Sequence, residues 1–415
     1  MSFLYNISIY LYHFGIFLSS FFNAKARSWI QGRKHLFKKL AALDLKKKPL
    51  IWIHCASLGE FEQGRPVIEG LRDKYPDHFL LLTFFSPSGF EIKKDYDKVD
   101  HVAYLPIDTK HNAKTFLEIL NPCLAIFVKY EFWFNYINGM AAQDIPVVVI
   151  SANFRKDQHF FKWYGGWFRK GLGKINTIFV QRDDSKELLG SIGYEAVFVS
   201  GDTRFDRVAS IVSAAEEINP VMQFKDGKTL LLAGSTWPKD EEIIMSVYPG
   251  LKDTMKLVLV PHEVHEERIR HLCGQLNFPF IKFSEVKDLQ DHDAGILIID
   301  SIGLLSRLYR YADISYIGGG FGVGIHNILE AAAFGKPVIF GPNYHKFKEA
   351  VELVDRGGAF SIENAAQLED KITSLIKDEK GYQKAAEISS SYVLQNQGAT
   401  TTILEQLDKI INNKA

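Results

Sequence analysis

From Leu50 onward, short apolar runs alternate with longer stretches in which apolar positions recur every three or four residues. The runs Ile51–His54, Phe79–Phe84, Val102–Leu105, Leu124–Lys129, Val147–Ile150, Thr177–Val180 and Ala196–Val199 predict strands. Helical patterns lie between them, as at Phe61–Lys74, Lys110–Leu120 and Asp184–Ser191. Around residues 210–227 the pattern lapses into a polar stretch containing Asn219-Pro220. A second series then begins, with strands at Thr229–Ala233, Leu257–Val260, Gly295–Ile299, Ile314–Ile317 and Val338–Phe340, and the last 40 or so residues read as helix. Regular strand–helix alternation predicts doubly wound parallel sheets, so the fold class is α/β with two Rossmann-like domains. The expected division is an N-terminal helix at 1–24, a first domain at 25–210, a linker at 211–228 and a second domain at 229–415. The last helices can pack back on the first domain. Two such domains are expected to face a central cleft at the carboxyl ends of both sheets.

The N-terminus departs from this pattern. Residues 2–24 contain no Asp, Glu, Lys or Arg, and nine Lys or Arg against one acid follow between Lys25 and Lys48. A charge-free stretch of that length can just span a bilayer, and cations after it point to a cytoplasmic body. Asn6, Ser8, His13, Ser19 and Ser20 interrupt it, so a helix lying in the membrane interface and a buried helix stay open. In either membrane mode Arg33, Lys34, Lys38 and Lys39 would meet anionic head groups at the inner leaflet.

Composition narrows the field. The 415 residues carry no net charge, with 47% hydrophobic and 24% charged, which describes a globular chain and argues against a general nucleic-acid binder. Cys55, Cys123 and Cys273 are far apart, so neither a disulfide framework nor a zinc site is indicated.

The densest candidate chemistry runs from Gly318 to Glu330, Gly-Gly-Gly-Phe-Gly-Val-Gly-Ile-His-Asn-Ile-Leu-Glu. A glycine turn leaving a strand and entering a helix lets a phosphate approach backbone N–H groups. Asn327 and Glu330, three apart in the expected first helical turn, can face one ligand, and a carboxylate there suits a ribose diol. The dinucleotide fingerprint fits in no register, and no Walker-type sequence occurs. The alternative is an ordinary strand–turn–helix junction. Gly234-Ser235-Thr236, also between a strand and a helix, is a second phosphate-compatible end. Pro261-His262-Glu263 follows the next strand. His262, Glu263, His265 and Glu266 do not form H-E-x-x-H, so no metal site is assigned. Asp95-Tyr-Asp97 and Asp291-His-Asp293 read as solvated loops rather than metal sites.

In the first domain, Cys55-Ala-Ser-Leu-Gly-Glu60 follows a strand and opens a helix. Ser57 and Glu60 can form a capping box, or Glu60 can serve as a general base at the sheet edge. Three more polar loops follow strands of the same sheet: Lys129-Tyr-Glu131-Phe-Trp133-Phe-Asn135, Ser151-Ala-Asn153-Phe-Arg155 and Gly201-Asp-Thr-Arg204-Phe-Asp206.

Taken in order, these loops with His326-Asn327-Ile-Leu-Glu330-Ala-Ala-Ala and Gly341-Pro342 closely resemble the lipid A 3-deoxy-D-manno-octulosonic acid (Kdo) transferases, of the GT-B glycosyltransferase type. The resemblance implies a metal-independent, inverting enzyme on the cytoplasmic face of the inner membrane, needing no cofactor. It implies transfer of Kdo from CMP-Kdo onto a tetraacylated lipid A precursor, with inner-membrane lipids as further partners. By position it implies that Glu60 is the general base and that Glu131 and Arg204 stabilise the transition state. It likewise implies that His262, Glu263, Ile302, Gly303, Leu304, Asn327, Ile328, Leu329 and Glu330 contact the CMP donor, with Ser235 at a phosphate-compatible helix start. The chain departs from the family where Pro261-His262-Glu263 replaces Pro-Arg-His, where Arg204 replaces lysine and where Phe134 replaces proline. Alternatives are another GT-B transferase or epimerase using a UDP-sugar, and a non-catalytic nucleotide-sugar-binding membrane protein.

Overall fold

The computed structural model describes residues 2–45, 48–214, 217–286 and 293–412. The chain forms two compact units. One comprises Met1–Arg207 with Gln397–Ala415, the other Val208–Asn396.

The first unit contains β1 (Leu50–Cys55), β2 (Phe79–Phe84), β3 (His101–Tyr104), β4 (Leu124–Val128), β5 (Val147–Ala152), β6 (Thr177–Val180) and β7 (Val197–Val199). They form one parallel sheet in the order β3-β2-β1-β4-β5-β6-β7. Every residue of β1, β2, β4 and β5 is buried, as expected of strands covered by helices on both faces. Trp52 anchors one face against Phe116, Phe127 and Tyr136, and its indole donates to Thr83 Oγ1 at 2.8 Å. On the other face the C-terminal helix Ala399–Asn412 inserts Ile403 and Leu407 beside Ile51, Ile53 and Phe61.

The second unit contains β8 (Thr229–Thr236), β9 (Met255–Pro261), β10 (Phe280–Lys282), β11 (Ile296–Ile298), β12 (Ile314–Ile317), β13 (Val338–Phe340) and β14 (Ala359–Ser361). Its parallel order is β10-β11-β9-β8-β12-β13-β14. The two edge strands, β10 and β14, have three residues each and were not expected from the pattern. Each sheet reverses its strand order once, between β1 and β4 in the first and between β8 and β12 in the second. Ligands of open α/β sheets bind beyond the carboxyl ends of the strands at such a reversal. The motif loops after β1, β4, β8 and β12 all leave from those four strands.

Helical structure enters the expected linker at 211–228 among its described residues. The helix Thr203–Ala214 runs into it, and a further helix forms over Asn219–Lys225 with Pro220 in its first turn, where a missing N–H does no harm.

At the N-terminus, residues 2–19 form a helix, but among the described residues no helix is long and apolar enough to cross a membrane. The helix is fixed to the first unit through polar groups. Tyr5 donates its hydroxyl to Asp108 at 2.5 Å, and Asn135 Nδ2 donates to Asn6 Oδ1 at 3.1 Å. Several of its large apolar side chains point outward: Phe3, Tyr10, Leu11 and Phe14 are all more than half exposed.

Candidate active site

Glu60 lies in the first turn of the helix Leu58–Lys74, directly after β1. The capping bonds at this helix start depart from the reciprocal pattern. Ser57 makes no side-chain cap bond, while the Glu60 carboxylate accepts from the backbone N–H of Ala56. That bond aims the carboxylate back towards the sheet edge. Burial, and then the negative charge of Glu131, push the Glu60 pKa up to about 7, against a smaller opposing pull from the Ala56 amide and Lys129. A carboxylate that titrates near neutrality is the form a general base takes at physiological pH.

Glu131 sits in the loop after β4, which opens with Lys129 at φ 64° and closes into the helix Phe134–Ala141. Its carboxylate accepts from the Trp133 indole at 2.6 Å and stands 3.4 Å from His54 Nε2. His54 is fully buried near the end of β1, and its Nδ1 meets Thr83 Oγ1 at 2.9 Å. Within the apolar run of β1 nothing in the pattern marked His54 as more than a strand residue. The one available signal was its imidazole in an otherwise apolar buried run, beside the strand's end.

Behind Glu131, Asp108 holds the loop in place. Its carboxylate accepts from the amides of Asn135 and Tyr136, at 3.0 Å each, at the start of the helix Phe134–Ala141. Burial pushes the Asp108 pKa up to about 6, and the Tyr5 hydroxyl and the two amides pull against that.

Arg204 lies in the first turn of the helix Thr203–Ala214, with its guanidinium 2.7 Å from Asp202 two residues earlier. Thr203 fixes this helix start. Its hydroxyl donates to the Gln63 carbonyl at 2.6 Å and meets Ser151 Oγ at 3.0 Å, while Ser151 occupies φ 55° at a register shift in β5. Non-glycine residues with positive φ are uncommon, and two of them, Lys129 and Ser151, occur at the ends of adjacent strands beside Glu131 and Thr203. Asp206 of the same motif has a different role. It accepts from the amides of Gly398 and Thr400, at 2.7 and 2.6 Å, and so caps the C-terminal helix. Arg182 donates to Asn153 Oδ1 at 3.1 Å, and Arg155 lies over the Tyr130 ring.

In the second unit the glycine-rich segment is a closed loop rather than a direct entry into a helix. Only Leu329–Ala333 is helical after β12, and Asn327 precedes it. The amides of Gly318, Gly319, Gly322, Gly324 and His326 all bond to protein, to Gly234 O, Asp240 and the loop's own carbonyls. These five donors are engaged within the protein. The glycines are required for close approach. A Cβ on Gly318 would stand 2.2 Å from Ser235 O, and one on Gly320 would stand 2.5 Å from Gly341 N. What the loop presents is the Asn327–Glu330 pair, joined at 3.0 Å, with Asn327 Oδ1 also accepting from the Leu329 amide. Ile328 and Leu329 are buried, so only their backbone is available to a ligand.

The first turn of the helix Pro238–Leu251 carries two acids of its own near Ser235. Buried Asp240 accepts from Trp237 N and Gly319 N, at 2.9 Å each, and from Tyr316 OH at 2.8 Å. Buried Glu241 accepts from Thr236 Oγ1 at 2.8 Å and pairs with Arg268. Ser235 itself takes φ 54°.

Beside it stands a feature that the motifs did not announce. Trp237, His262 and His326 stack their rings, with centroids 4.8 Å apart from Trp237 to His262 and 4.3 Å from His262 to His326. The Trp237 indole donates to His326 Nε2 at 3.1 Å. Burial and then the His262 charge lower the His326 pKa to about 4, so this ring stays neutral. Glu263 is exposed, 3.5 Å from His265. Ile302, Gly303 (φ 90°) and Leu304 form the exposed turn after β11, at the same sheet edge. Asp95 and Asp97 lie in an exposed turn, and Asp291 lies outside the described residues.

Residues 31–207 match the family model described as 3-deoxy-D-manno-octulosonic-acid transferase (kdotransferase). A 3-deoxy-D-manno-octulosonic acid transferase of Aquifex aeolicus is 30% identical over 356 residues, covering 83% of this chain and 92% of the relative. One of Haemophilus influenzae is 27% identical, covering 86% of each. Among solved structures, a UDP-GlcNAc 2-epimerase from Neisseria meningitidis superposes with a TM-score of 0.61 at 18% identity, over 87% of this chain and all of the other. A glycosyltransferase from Rickettsia africae does so at 0.57 and 17%, over 88% of this chain and all of the other. These two likenesses establish the shared GT-B-like, two-unit α/β fold. Identity over nearly the full length of the Aquifex relative fixes the family: this chain is a member of the 3-deoxy-D-manno-octulosonic acid transferases.

Proposed function

We propose that this protein transfers Kdo from CMP-Kdo to a lipid A precursor in lipopolysaccharide biosynthesis, with inversion and without a metal. The observation that carries the mechanism is the Glu60–Glu131 pair after β1 and β4, in which one carboxylate titrates near pH 7. A sugar hydroxyl is a poor nucleophile at that pH, so a carboxylate within reach must take its proton. In the proposed step the acceptor hydroxyl gives its proton to a Glu60 oxygen as its own oxygen bonds to the anomeric carbon of Kdo. The bond from that carbon to the phosphate oxygen breaks on the opposite face, and cytidine monophosphate leaves with the electron pair.

Glu131 keeps Glu60 basic enough to accept the proton, and His54 and Trp133 hold Glu131 in position. Arg204, braced by Asp202, supplies positive charge for the departing phosphate. In the second unit Asn327 and Glu330 suit the ribose hydroxyls, and the exposed turn at Ile302, Gly303 and Leu304 suits the base. His262 stands at the same edge, stacked between Trp237 and His326. His262, not His326, occupies the position after Pro261 where the family places a cation, and the neutral His326 ring stacks on it.

The N-terminal helix fits a helix lying in the membrane interface, with its aromatic surface in the acyl boundary and Lys25, Arg27 and Lys34 at the head groups. The proposed site of action is the cytoplasmic face of the inner membrane. Purified protein incubated with lipid A precursor and CMP-Kdo should give a lipid heavier by one or more Kdo units, and none with a UDP-sugar. Absence of that product with intact, CMP-binding protein refutes the assignment.

A further inference from the structure

A groove of about 550 Å³ runs between the N-terminal helix and the helix Ala24–Gly32, floored by the turn after β2. Its walls are mostly apolar, from Gly15, Ile16, Ala26, Trp29, Phe85 and Pro87, and Lys25 stands among its polar lining groups. Phe85 belongs both to the groove and to the candidate active site. Its ring packs on Trp133 with centroids 4.9 Å apart, and Trp133 donates to Glu131. Trp29 packs against the same Phe85 at 5.5 Å, and its buried indole N–H has no hydrogen-bond partner. Arg33 fixes this wall from behind, donating to the carbonyls of Phe85 and Leu105 at 2.8 and 2.9 Å.

Resting on the proposed function, we propose that this groove binds one acyl chain of the acceptor lipid, so that the enzyme lifts part of the acceptor out of the bilayer. Three observations favour an acceptor chain over bulk phospholipid. The groove ends one ring away from the carboxylate pair. One cation, Lys25, lines it where a phosphorylated head group would sit. The large apolar side chains that serve general membrane contact, Phe3, Leu11, Phe14 and Leu18, lie on the exposed surface of the N-terminal helix and do not line it.

Gly15 gives the test. It lines the groove, and a Cβ placed on it meets nothing within 4 Å, so Gly15→Trp fills the space without disturbing the helix's own packing. Full-length protein in vesicles would be irradiated with a tetraacylated acceptor bearing a diazirine on an acyl chain, and the labelled peptides mapped. Label on the lining residues Ile16, Ala26, Trp29 and Phe85–Pro87, displaced by unlabelled acceptor and lost in Gly15→Trp, is expected. Label confined to the outward residues overturns the proposal, as does equal labelling by a diazirine phospholipid that the acceptor does not displace.

In kinetics, Gly15→Trp should lower kcat/KM for the tetraacylated acceptor, relative to the acyl-free sugar, by about tenfold. Leu11→Trp on the outer face should keep the ratio, and an unchanged ratio in Gly15→Trp overturns the proposal. If wild-type protein transfers Kdo to neither acceptor, the functional reading fails, while the labelling still decides whether the groove takes the chain.

Discussion

Trp133 donates its indole N–H to Glu131 at 2.6 Å, from only two residues along the chain, and the same nitrogen stands 3.3 Å from His54 Nε2. The acid that raises the Glu60 pKa is thus itself held between an indole and a buried imidazole. Its orientation does not depend on substrate. Glu131→Gln removes the second of the two causes that raise the Glu60 pKa but leaves burial, the larger one, in place. The acidic limb of the kcat pH profile, near 7 in the wild type, should therefore move down without reaching the ordinary carboxylate value near 4.5. A profile that does not move would separate the two carboxylates functionally.

Glu60→Ala should lower kcat by roughly a hundred- to ten-thousandfold, the usual contribution of a general base. CMP binding, measured by calorimetry, should stay intact, because the proposed ribose contacts Asn327 and Glu330 lie in the other unit. Equal loss of nucleotide affinity would make Glu60 a helix cap rather than a base.

Tyr5→Phe removes the hydroxyl bonded to buried Asp108 and should cost about 1–3 kcal/mol, seen as a lower Tm. The pH dependence has a definite sign. Asp108 titrates near 6 in the fold against 3.8 in the open chain, so its contribution is complete below pH 3.8 and is lost as pH rises through 6. The Tyr5 bond opposes that rise. Its removal should extend the window to higher pH, and the Tm difference between variant and wild type should widen from pH 5 to pH 7.

Asp240→Ala would orphan Tyr316 OH and the amides of Trp237 and Gly319 in a buried setting. A loss of about 2–4 kcal/mol follows from these groups together, with weaker CMP binding, since Gly319 opens the glycine loop. Unchanged affinity at reduced stability would show that the loop's conformation does not depend on this carboxylate.

Much of the fold was legible because both sheets bury their central strands on both faces, so each reads as an unbroken apolar run. The edge strands β10 and β14 were not, since three residues carry no period and their pairing is decided by neighbours. The helix after the glycine loop was overextended, because Ala331–Ala333 favour helix while the loop's glycines bond to the β8 end and Asp240 instead. Glu60 and Glu131 were visible as polar residues after strands, whereas His54 was concealed inside one. The Tyr5–Asp108 bond joins positions 103 apart, a distance no local pattern reports. The Trp237–His262–His326 stack likewise joins three separate loops.

The first unit is closed by the helix Ala399–Asn412, whose Ile403 and Leu407 complete its core and whose start is capped by Asp206. The whole of the second unit is translated between Arg207 and that helix. At about 5–20 residues per second, the ribosome takes roughly ten to forty seconds to cross this interval. Through it the nascent first unit has its carboxylate pair encoded but one flank of β1 uncovered. Assembly of the unit that carries Glu60 therefore waits until the second unit has been translated.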